Sequence, residues 1–97
     1  MDIDLLRALV DHSKWRSPSG IQVYPYYKKD QMIRLIQEDT SRTWLPNFKD
    51  KVTLAYLHHL YVVHGGVIEK QGEIWVSSHE VEGEDLEEVL VKSFLKL

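Results

Sequence analysis

Tyr56-Leu57-His58-His59-Leu60-Tyr61-Val62-Val63-His64-Gly65-Gly66-Val67-Ile68-Glu69-Lys70-Gln71-Gly72-Glu73-Ile74-Trp75-Val76 changes from helical to strand periodicity at its glycine pair. Val52, Tyr56, Leu60 and Val63 recur at the i, i+4, i+8, i+11 spacing of a buried helical face, and Asp50 stands where an N-cap belongs. The spacing predicts a helix over 51–64. Gly65 and Gly66 can take the positive φ that ends it. Beyond them, Val67 and Ile68 answer Ile74, Trp75 and Val76 across the polar tip Glu69-Lys70-Gln71-Gly72-Glu73, which predicts a hairpin pairing 67–70 with 73–77.

Working outward, Leu5, Leu6, Leu9 and Val10 share one face of a helix expected over 4–14, whose positive end Asp2 and Asp4 complement. Ser17-Pro18-Ser19-Gly20 breaks it. Ile21, Val23 and Tyr24 precede Pro25, which lacks a ladder donor and so suits an edge strand or a strand end. Asp30 can cap a helix over 30–38 that places Met32, Ile33, Leu35 and Ile36 together. Near the end, Gly83-Glu84-Asp85 leads into Leu86, Val89, Leu90, Phe94 and Leu97 at helical spacing, with acids first and Lys92 and Lys96 last, over 84–96.

The order α-β-α-α-β-β-α, an α+β class, resembles a winged helix (winged helix-turn-helix) domain with an extra C-terminal amphipathic helix, the layout of many small bacterial, archaeal and viral regulators. Residues 56–76 carry most of the likeness. Between its second and third helices the family has a short turn, where this chain has Asp39-Thr40-Ser41-Arg42-Thr43-Trp44-Leu45-Pro46-Asn47-Phe48-Lys49. The resemblance implies a transcriptional regulator that binds double-stranded DNA.

Length and composition bound the rest. Ninety-seven residues suit one domain over 1–97, and the absence of cysteine excludes disulfides, thiol catalysis and cysteine-based zinc sites. No apolar run approaches the roughly 20 residues that span a bilayer, so a cytoplasmic protein without membrane contact is the expectation. Within 14–51 eight cations face four acids, whereas from Tyr56 onward three cations face eight acids. On the winged-helix layout the basic window flanks the third helix. Nucleic-acid contacts are therefore expected from Arg42, Lys49, Lys51, Thr53, His58, Tyr61 and, on the 69–73 wing, Lys70.

The same helix offers no Arg, Lys, Asn or Gln after Lys51, the side chains that read guanine and adenine bidentately, and it is apolar on almost every side. That composition favours the alternative, a protein-protein interaction module such as an adaptor or a phage-type inhibitor that binds no DNA. Leu86, Val89, Leu90, Phe94 and Leu97, with Val91 and Leu95 on another side, predict a homodimer interface on the last helix. Tyr24, Tyr26 and Tyr27 beside Lys28 and Lys29 have the look of a stacking surface, though a short strand explains them equally. Adjacent His58 and His59 point about 100° apart, and His64 follows by five, so no metal pair forms. With no phosphate-binding glycine loop and no nucleophile–base–orienter pattern, neither an enzyme nor a cofactor is expected.

Overall fold

The structure, a computed structural model, describes residues 3–16, 23–24 and 45–97. Its elements in chain order are α1 (Ile3–Asp11), β1 (Val23–Tyr24), β2 (Leu45–Pro46), α2 (Lys51–Val63), β3 (Ile68–Gln71), β4 (Ile74–Ser77), β5 (Glu82–Gly83) and α3 (Leu86–Phe94). Among the described residues this is an α+β arrangement of three helices, a three-stranded antiparallel sheet and a two-stranded pair. The helix expected over 30–38 lies outside the described residues.

Local chemistry sets the ends of α2. The Asp50 carboxylate accepts from the backbone N–H of Thr53 at 3.0 Å and from its hydroxyl at 2.9 Å, satisfying a donor that the first turn leaves unpaired. At the other end, Gly65 adopts φ +88°, its N–H bonds to the Val62 carbonyl, and the Gly66 N–H reaches back to Tyr61, both at 2.9 Å. That pair of bonds around a left-handed glycine is a Schellman stop. Gly66 then lies flat against the phenol ring of Tyr61, where a Cβ would stand 2.4 Å from ring carbons. The chain leaves the helix through a gap that only glycine fits.

The hairpin begins two residues later. Ile68 pairs with Ser77, Glu69 with Val76, Lys70 with Trp75 and Gln71 with Ile74, so the loop is Gly72-Glu73 alone. Gly72, at φ +63°, takes the first central position, as a type II′ turn requires. The tip is thus shorter than the five polar residues suggest, because Glu69, Lys70 and Gln71 belong to the strand. A third strand also joins: β5 pairs with β4, Trp75 opposite Gly83 and Val76 opposite Glu82. β1 lies elsewhere, antiparallel to β2 with Val23 opposite Pro46 and Tyr24 opposite Leu45.

α3 starts on Asp85, whose carboxylate accepts from the Glu87 N–H at 3.1 Å. It is the shared neighbour of the fold, packing on α1, α2, β4 and β5. Leu6 and Leu9 of α1, Leu57, Leu60 and Tyr61 of α2, and Leu90, Val91 and Phe94 of α3 meet in one core with Trp15, Leu45 and Phe48. Trp15 is ringed edge-on by Tyr56, Phe48 and Phe94, with centroids 5.7, 6.2 and 6.2 Å away. Such T-shaped contacts align ring edges with ring faces. Leu45 and Phe48, from the long segment between the expected second and third helices, are therefore core residues.

On its opposite side α3 is stitched to the sheet by hydroxyls. Ser93 Oγ lies 2.6 Å from the Val89 carbonyl and 2.7 Å from Ser77 Oγ, and both serines are buried. One hydroxyl carries one proton. Ser93 donates to Val89, which leaves the Ser77 hydroxyl to donate into Ser93, while Ser77 Oγ accepts from the backbone N–H groups of Val81 and His79.

Candidate functional site

The residues expected to touch nucleic acid separate into three groups once placed. Thr53 and Tyr61 are fully buried, so neither reaches a groove, and their expected role is corrected. Thr53 is occupied by the Asp50 cap. The Tyr61 phenol points into the fold, 2.6 Å from Nδ1 of His79 and 3.3 Å from Ser78 Oγ. Helical periodicity explains the miss: positions 53, 57, 60 and 61 face inward together, and hydroxyls on that face serve the fold.

The cations form the second group. Lys49 and Lys51 are exposed at the start of α2. Near Lys49, burial and then the Asp85 carboxylate hold the Glu87 carboxyl above the usual pKa, with Lys49 among the charges that partly oppose them. Lys70 is exposed on β3, and its Nζ stands 5.8 Å from the Trp75 ring centroid, a cation–π distance. Elsewhere on the same sheet and its turn, Glu69, Glu73 and Glu82 are exposed acids. Lys92 is paired with Glu88 at 2.6 Å, and Lys96 donates to the His79 carbonyl at 3.1 Å. Arg42 lies outside the described residues. His58 is half-buried and makes up the third group alone.

The dimer stripe assigned to the last helix is corrected as well. Val89, Leu90 and Phe94 are buried within this one chain, and Leu86 and Leu97 pack partly buried against the same core. Val91, on the side thought to be surplus, is buried too. The reason is that α3 is covered by helices on one side and by the sheet on the other, so both apolar sides are used.

What remains apolar and uncovered lies on α2. Val52, Val62 and Val63 are 70%, 50% and 61% exposed, Ala55 and His59 are exposed between them, and Val67 follows at 60% just past the glycine pair. β-Branched side chains lying open to water on one helix face are a surface, not a core. The residue types alone could not separate this face from the buried one, because both are apolar. Only which side meets α3 decides.

Among the described residues no three His, Asp or Glu side chains converge as metal ligands do, and no helix is long and apolar enough to cross a membrane. Nothing matches the chain among family models, curated proteins or solved structures.

Proposed function

We propose that this chain is a protein-interaction module that docks through the outer face of α2. The carrying observation is the apolar stripe of Val52, Ala55, Val62 and Val63 on the helix that would read DNA in a winged-helix regulator, with His59 at its middle and no Asp, Glu, Lys or Arg on the helix beyond Lys51. Contiguous apolar surface at such a place suits a protein partner, whereas the major groove asks for fixed donors and acceptors. The order helix, glycine pair, hairpin supports a winged-helix-like description of residues 51–77.

DNA binding by a regulator is the second reading, favoured by Lys49 and Lys51 standing exposed together at the N-terminus of α2. A photo-cross-linking residue at Val62 tests the pair. The docking reading expects a discrete protein adduct from that position, in an extract of the cells that make the chain, and none from Glu73 at the hairpin tip. Absence of an adduct, together with duplex binding at about 50 mM salt with a dissociation constant near or below about 100 μM, would reverse the order of the two readings.

A further inference from the structure

The exposed positions of α2 are Lys51, Val52, Ala55, His59, Val62 and Val63, and they form a set symmetric about residue 57. Lys51 mirrors Val63, Val52 mirrors Val62, and Ala55 mirrors His59. Leu57 at the centre is fully buried, so the stripe is centred on the side of the helix opposite it. Run in opposite directions, two such helices set exposed positions level with exposed positions, which lets each residue meet its mirror position across a two-fold axis as an isologous contact does.

We propose that the occupant of this face is a second copy of the same chain, its α2 lying antiparallel on the first across a two-fold axis level with Leu57. This rests on the docking reading above and names its partner. Val52 then meets the Val62–Val63 pair of the other copy, and Ala55 meets His59. Charge argues for the direction: α2 has no acid in its first turn and no base in its last, and Lys51 sits at the helix's own positive end. Antiparallel pairing opposes the two macrodipoles and brings each Lys51 to the C-terminal carbonyls of its partner; parallel pairing would set like ends together. Thirteen residues span about 20 Å, so the contact is short and the dimer forms by mass action as the chain is concentrated.

The chain contains no cysteine, which makes the geometry directly testable. Val52→Cys and Val63→Cys are prepared separately, both at exposed positions where folding is unaffected, and checked by circular dichroism. Mixed under mild oxidation they should give a disulfide-linked dimer. Val52→Cys alone should not, because a thiol and its symmetry mate lie about 15 Å apart along the axis, beyond the roughly 7 Å Cα separation that a disulfide spans. In sedimentation the unmodified chain should pass from monomer to dimer with concentration, and Val52→Lys should raise the dissociation constant at least tenfold. Self-cross-linking of Val52→Cys as efficient as that of the mixture overturns the antiparallel pair. A monomer mass that stays constant to about 1 mM overturns the dimer. If purified chain is monomeric while Val62 still cross-links a different protein in extract, the dimer falls and the docking reading stands; loss of both adducts removes both.

Discussion

The Tyr61 phenol oxygen lies 2.6 Å from Nδ1 of His79, joining the buried face of α2 to the turn between β4 and β5. The phenol donates when Nδ1 carries no proton, and Ser78 Oγ, 3.3 Å away, is its only other close polar contact recorded among the described residues. Removing either partner should be felt, and unequally. Tyr61→Phe deletes the donor together with its need and should cost about 1 kcal/mol; His79→Ala leaves a buried phenol short of an acceptor and should cost about 1–3 kcal/mol. Urea unfolding followed by circular dichroism measures both, and equal losses would contradict this assignment.

Gly66→Ala places a methyl 2.4 Å from the Tyr61 ring, which is fully buried and cannot swing away. Overpacking of this kind costs about 1–3 kcal/mol. Gly72→Ala meets no atom within 4 Å but sits at φ +63°, so its cost is the conformational one alone, about 1 kcal/mol. The ranking, Gly66 above Gly72, is read from thermal midpoints of the two variants.

Ser93→Ala should lower stability by about 1–3 kcal/mol, because it strands the Ser77 hydroxyl in the interior. Ser77→Ala removes the other end of the same link. The double variant should cost less than the sum of the singles, since one interaction is being deleted twice. A double-mutant cycle with strict additivity would mean that the two hydroxyls do not work as a pair.

Burial raises the pKa of Tyr56 above its usual value, with the Arg16 guanidinium partly opposing it, and its hydroxyl donates to the Arg16 carbonyl. The neutral phenol is thus favoured in the folded chain. Its contribution is fully present below the unfolded tyrosine pKa of about 10 and is lost as pH rises through the higher folded value. Tyr56→Phe should therefore flatten the alkaline decline in stability while costing about 1 kcal/mol near neutrality, as a pH series of chemical denaturations shows.

How much was legible beforehand depended on whether the signal was local. Asp50, Gly65 and Gly66 act on their immediate neighbours, and they mark the ends of α2 to within a residue. The hairpin was equally readable from its alternation, though Gly72 with Glu73 made a tighter turn than the run of polar residues suggested. β5 was not readable: Glu82 and Gly83 carry no strand pattern, and they follow a turn, with Glu80 at φ 62°, in which the Ser77 N–H donates to the Val81 carbonyl and Ser77 Oγ accepts from the Val81 N–H. The site fared worse for the same reason. Whether Tyr61 or Val62 faces outward depends on where α3 lies, and that placement comes from contacts distant in sequence, which periodicity in one helix does not report.

α3 lies against α1, so the core joins Leu6 and Leu9 to Leu90 and Phe94 across nearly the whole described length. Among the described elements α1 is made first, and apart from its contact with β2 its packing waits for α3, which ends at residue 94. Loop closure on that scale precedes any reward from the contacts it makes, which slows folding relative to a bundle of sequential neighbours. Until α3 is made, Leu6 and Leu9 lack Leu90 and Phe94, so these described residues depend on α3 to close their core.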